Sequence, residues 1–99
     1  MCGIAGIFSF EQPVNLNTIT AMTNIISHRG PDGEGHWIDE HQRIALGHRR
    51  LSIIDLSASA NQPMHAHNRY SIVFNGEIYN YIELKEKLSE AGYHFQTHS

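Results

Sequence analysis

The sequence predicts an α+β fold, and three observations carry that reading. Apolar runs rich in β-branched and aromatic residues stand at 3–10 (GIAGIFSF) and 70–74 (YSIVF). Apolar residues recur at helical spacing over 16–27 and again from Asn80 to about Ala91. Turn-forming clusters of Gly, Pro, Asn and Asp separate these pieces, with no repeat or low-complexity block between them.

The first run reads as a buried strand, closed by Glu11, Gln12 and Pro13. Gly3 and Gly6 weaken it intrinsically and point to a close approach of neighbouring backbone or ligand. The helix that follows places Leu16, Ile19, Met22 and Ile26 on one face, and Asn15 or Asn17 can cap its start. HRGPDGEG (28–35) is turn chemistry: Pro31 fixes φ, Asp32 can bond its own backbone, and Gly33 tolerates positive φ. Two short strands are expected at 36–38 and 43–47, then an apolar piece, LSIIDL, at 51–56. From Ser57 to Asn68 the composition shifts to Ser, Ala, Asn, Gln, Pro and His and reads as a surface loop. A strand at 70–74 leads into Asn75-Gly76. The second helix begins at Asn80, with Glu83 in a capping-box-like position, and stops at Gly92. Residues 93–97, YHFQT, alternate like the opening of a further strand.

Composition bounds the function classes. Ninety-nine residues with 40% hydrophobic and 17% charged side chains describe a small globular domain or a piece of a larger one. Seven Lys and Arg against ten Asp and Glu leave a formal net charge of −3, which argues against nucleic acid as a partner. No run approaches the roughly 20 apolar residues that span a bilayer. The first basic residue is Arg29, so a secretory n-region is absent from the opening residues. A soluble cytoplasmic protein is the expectation. Eight histidines invite a metal reading, above all His65 and His67, but zinc needs three or four ligands and the one thiol lies far away in sequence. No metal site is expected.

That thiol, Cys2, is the chemically sharpest feature. A lone cysteine is most often inert packing. Directly behind the initiator methionine, however, it becomes N-terminal when Met1 is trimmed and carries a thiol and a free α-amine together. In unperturbed peptides such an amine titrates at about 7.7–8.0 and a thiol at about 8.5. One residue can therefore supply both nucleophile and general base. Asn75-Gly76 is open between two readings. After an apolar strand it is a hairpin signal; equally, an Asn amide beside a glycine N–H can form an oxyanion hole, one donor of which is typically worth about 2.7–4 kcal/mol. The passage of EIYN straight into a helix weakens the hairpin. Arg49 and Arg50, beside an apolar stretch, are candidates for clamping a carboxylate, or for ordinary ion pairs.

MCGIAGIF, SHRGPDGEG, GHRRLSIIDLS and FNGEIYNYIEL, in that order, resemble the glutaminase domain of the class II glutamine amidotransferases. More narrowly they resemble the N-terminal part of glutamine-hydrolysing asparagine synthetases. LSIIDLS and NGEIYN favour that branch, since amidotransferases of sugar-phosphate and purine pathways usually carry a Trp/Tyr-Ala/Ser-Thr type segment after the arginine. The resemblance implies an N-terminal nucleophile hydrolase fold, a four-layer αββα sandwich with antiparallel sheets, of which residues 1–99 are the N-terminal part. It implies Cys2 as the nucleophile on the side-chain amide of L-glutamine, with Asn75 and the Gly76 N–H holding the oxyanion. Arg50 would grip the substrate α-carboxylate, Leu51, Ser52, Ile53 and Ile54 would line the pocket, and Glu77 would hold the amino-acid end. The 28–33 turn would shape the pocket from behind. The family continues beyond F-x-T-x-S with an aspartate for the substrate amine, and with a synthetase domain that uses ATP and magnesium to amidate aspartate; this segment itself implies no cofactor. A homodimer is implied for the full-length form. Two alternatives stand beside this expectation: an amidotransferase of the same branch serving another acceptor, such as a surface polysaccharide or natural product, and an inactive remnant or glutamine-binding module.

Overall fold

The computed structural model describes residues 2–51 and 61–95. Its elements in chain order are β1 (Gly3–Phe8), α1 (Leu16–Ile25), a 3-10 turn (Ser27–Arg29), β2 (Gly33–Ile38), β3 (Ile44–Arg50), β4 (Met64–Ala66), β5 (Tyr70–Ile72) and α2 (Tyr81–Glu90). This is an α+β arrangement with two antiparallel sheets: β1-β3-β2, with β3 central, and the pair β4-β5.

Register explains the core. Residues opposite one another across a sheet share a face, and Ile7, Ala45 and Ile38 form one such row across β1, β3 and β2. α1 lies over this row, so Ile19 and Ala45 are fully buried and Val14 nearly so, with Ala5, Ile7, Met22 and Ile38 packed around them. The buried stripe of α1 differs from the expected one. Leu16 is exposed and Thr23 is buried instead, directly over Gly47, where the close approach of helix to strand leaves no room for a large side chain. The Thr23 hydroxyl is satisfied by donating to the Ile19 carbonyl at 2.7 Å.

The helix ends are legible in atomic terms. Asn15 is the N-cap of α1: its Oδ1 accepts from the Thr18 N–H at 2.9 Å. α1 gives way to the 3-10 turn after Ile25, two residues earlier than expected. α2 begins after Asn80, whose side chain makes no capping bond, so the expected capping box is replaced by backbone bonds alone. At the other end Gly92 takes φ +100, and the Gly92 and Tyr93 N–H groups donate to the Ser89 and Leu88 carbonyls, a Schellman closure.

The strands depart from their expected bounds: β2 begins at Gly33, inside the segment read as turn, β3 runs on to Arg50, and β5 ends at Ile72. β1 stops at Phe8, two residues short, because Ser9 and Val14 turn to the Arg43 and Gln42 carbonyls at the β2–β3 connection. The expected surface loop up to Asn68 contains β4, which pairs with β5 through a tight turn at His67 and Asn68, with φ of 58° and 53°. The Arg69 N–H closes that turn on the Ala66 carbonyl at 3.0 Å, and the pairing of Ala66 with Tyr70 leaves residues 67–69 as the loop. The strand expected at 93–97 lies partly outside the described residues, and 93–95 are irregular. Among the described residues no helix is long and apolar enough to cross a membrane.

Candidate functional site

The site forms where β3 ends. Gly3 pairs with Arg49, so the register carried back one residue sets Cys2 opposite Arg50 on the sheet face away from α1. The Cys2 Sγ is half-buried and meets the Leu51 main chain from both sides: it accepts from the Leu51 N–H at 3.3 Å and lies 3.8 Å from the Leu51 carbonyl. The Arg29 Nε donates to the Cys2 carbonyl at 3.4 Å.

Residues 28–33 wrap the same end of β3. Pro31 bridges to Arg50, and the Asp32 N–H donates to the Arg50 carbonyl at 2.9 Å. Arg49 leaves β3 on the opposite face from Arg50. Its Nε donates to the Gly30 carbonyl at 3.0 Å and its Nη1 pairs with Glu34 at 2.7 Å across the β2–β3 ladder. Arg50 is buried, and its Nη1 donates to Asn61 Oδ1 at 2.6 Å.

A second strand of contacts runs from here to Asn75-Gly76. Gln62 sits against Gly35 so closely that a Cβ at Gly35 would lie 1.9 Å from the Gln62 carbonyl oxygen. The Gln62 side-chain Oε1 accepts from the Phe74 N–H. The Phe74 ring in turn packs against Gly76. Between the two lines lies His48, on the Arg50 face of β3 and almost wholly buried. Neither of its ring nitrogens makes a well-formed hydrogen bond. Burial pushes the His48 imidazole below its ordinary value; the Phe74 backbone opposes that shift and the Arg50 charge reinforces it.

The structure thus brings Cys2, Arg50 and Leu51 together. Asn75, Gly76 and Glu77 are exposed, on the segment between β5 and α2, and among the described residues no hydrogen bond joins them to Cys2. Ser52, Ile53 and Ile54 lie outside the described residues. Asn75-Gly76 is not a hairpin turn, because the segment passes from β5 into α2. Among the described residues no group of three or more His, Cys, Asp or Glu gathers to hold a metal. Two surface clefts among the described residues lie elsewhere, one along α2 at Tyr81, Ile82, Lys85 and Glu86, one between residues 11–13 and 41–43, and neither contains a predicted site residue. Sequence reasoning missed Asn61, Gln62 and His48. Their partners are 11 and 12 residues away or across the sheet, and no local pattern marks them.

Residues 1–99 match the family described as glutamine amidotransferase domain. The chain is 44% identical, over its whole length, to asparagine synthetase [glutamine-hydrolyzing] 1 of Bacillus subtilis, of which the match covers 16%. It is 35% identical over 97% of its length to asparagine synthetase [glutamine-hydrolyzing] 3 of the same organism, again covering 16% of that protein. Over 68% of its length it is 47% identical to amidase chry2 of Gibberella zeae, covering 10% of that protein. The chain therefore spans only a small part of the curated relatives it matches.

Proposed function

Because the chain belongs to the glutamine amidotransferase domain family, we propose that it carries the glutamine-hydrolysing half-site of an asparagine synthetase-like enzyme, with Cys2 as nucleophile. The observation that carries the reading is the juxtaposition at the end of β3: the Cys2 Sγ on the Leu51 main chain, opposite a buried Arg50 on the same sheet face.

Removal of Met1 frees the Cys2 α-amine, which takes the thiol proton. The Sγ attacks the side-chain carbonyl carbon of glutamine, whose α-carboxylate is held bidentately by Arg50. Asn75 and the Gly76 N–H stabilise the oxyanion, the C–N bond breaks, and the amine returns its proton to the departing ammonia. Water then hydrolyses the γ-glutamyl thioester, releasing glutamate and restoring the thiol. Leu51 to Ile54 line the substrate and Glu77 receives its amino-acid end. The family's four-layer sandwich would be completed by chain outside residues 1–99. Activation of the acceptor, aspartate in this reading, would use ATP and magnesium in the synthetase domain that the family resemblance implies. The full-length protein would work in the cytoplasm, as a homodimer. The identity to a protein named as an amidase favours a second reading, in which the same half-site feeds ammonia to a different acceptor.

The test is a paired assay of the full chain with glutamine or ammonium as nitrogen source. Cys2→Ala should abolish glutamine-dependent amidation and spare the ammonium-dependent reaction, because the thiol is needed only to break the amide. Asn75→Ala should give a weaker form of the same pattern, losing about 10²–10³ in glutaminase turnover. Parallel loss of both activities in Cys2→Ala would make the residue structural and overturn the reading.

A further inference from the structure

We propose that Asn61 and Gln62 form a two-residue clamp that sets the spacing between the carboxylate-binding arginine and the oxyanion segment, Asn61 acting through Arg50 and Gln62 through the backbone of Phe74. The proposal rests on the reading of the site given above.

Two adjacent side chains here point into different parts of one site. Asn61 Oδ1 accepts from Arg50 Nη1 at 2.6 Å. An acceptor on one guanidinium nitrogen fixes the plane of the fork that would meet a carboxylate. Gln62 Oε1 accepts from the Phe74 N–H, one residue before Asn75. The Phe74 ring lies against Gly76, with Cζ 2.9 Å from where a Gly76 Cβ would stand, so the position of Phe74 constrains the proposed oxyanion donors. The clamp is anchored on the sheet, where the Gln62 carbonyl abuts Gly35 on β2, and Gly33 faces both Asn61 and the Arg50 side chain. The sheet register places Gly33 opposite Arg50 and Gly35 opposite His48, so the clamp, the arginine and the buried histidine share one face. Asn61 bonds a group that touches substrate in the proposed reaction, Gln62 bonds the residue next to one that does, and neither is placed to touch it itself. They are positioning residues.

Because each acts through a different partner, their removal should separate kinetically. Glutaminase kcat and KM are measured on the full chain by ammonia release, with thermal melting as the check on folding. Asn61→Ala should raise the KM for glutamine about tenfold with kcat within about twofold, the signature of lost ground-state binding. Gln62→Met, which keeps length and loses the acceptor, should lower kcat about tenfold with little change in KM. Gln62→Glu retains an acceptor oxygen and should restore most of kcat. Double-mutant cycles decide the route of action. Asn61→Ala should add almost nothing in an Arg50→Ala background, and Gln62→Met almost nothing in an Asn75→Ala background. Asn61→Ser, too short to reach Arg50, replaces Asn61→Ala if the latter does not fold. Additive cycles, equal loss of kcat and KM in both variants, or no recovery in Gln62→Glu would overturn the clamp. Retention of glutaminase activity in Cys2→Ala would instead overturn the underlying reading, so the two failures are distinguishable.

Discussion

On β3 the side chains of Arg49 and Arg50 leave the strand on opposite faces, as period-two alternation requires. Arg49 is consumed by Gly30 and Glu34, whereas Arg50 lies buried on the face that carries Cys2. In the full chain Arg50→Ala should therefore raise the glutamine KM strongly. Arg49→Ala should lower stability through its lost bonds and leave KM nearly unchanged. Equal effects on KM would contradict the division. Two residues earlier, His48 gives a pH prediction. Its imidazole titrates below the ordinary 6.5 in the fold because it is desolvated beside Arg50. Between the folded value and 6.5 the unfolded state binds more protons, so stability rises with pH there and is lost as pH falls below 6.5. His48→Gln should flatten that acid limb in denaturant titrations of the full chain at pH 7.5 and 5.5. An unchanged slope would assign the limb to other groups.

At the scale of elements, the parts legible in the sequence were those whose signal is local. The existence of α1, the Asn15 cap, the Gly92 stop and a strand at β3 all follow from neighbours within one or two turns. The β4–β5 hairpin was not legible. Its strands are three residues each, largely exposed, and its turn is made by His67 and Asn68 rather than by the Asn-Gly pair that reads as a hairpin from sequence. Asn75-Gly76 makes no hairpin because the chain passes from β5 into α2. The same division holds within the site. Cys2 and the Arg49-Arg50 pair announce themselves by position and motif, and the register then tells the two arginines apart. Asn61 and Gln62 carry no such mark, since polar residues beside a proline read as loop until the fold brings Arg50 and Phe74 to them. Thr23 is the mirror case: a polar residue stands in the apolar stripe because Gly47 admits only a small side chain above it.

The whole molecule is unbalanced between what it buries and what it shows. Among the described residues only Val14, Ile19 and Ala45 are buried apolar side chains, all beneath α1. On the opposite face of the sheet Ile4 and Phe8 are about half exposed, and on the apolar side of α2 Tyr81, Leu84 and Leu88 each keep about two fifths of their surface in water. Apolar area left in water contributes none of its roughly 25 cal/mol per Å² of transfer free energy. A core this small therefore has little to set against the conformational entropy of ordering the chain. Among the described residues β3 pairs with only one side of β1, and an unpaired strand edge exposes backbone N–H and C=O groups. Residues 1–99 expressed alone should accordingly melt over a broad range, bind a dye that reports exposed apolar surface, and show no measurable glutaminase activity. The same residues within the full chain should bind little dye and melt cooperatively, because the sheet face and the α2 stripe would then be covered. A sharp, cooperative melt of the monomeric 99-residue chain would show that the small core under α1 suffices, and the argument from exposed surface would fail.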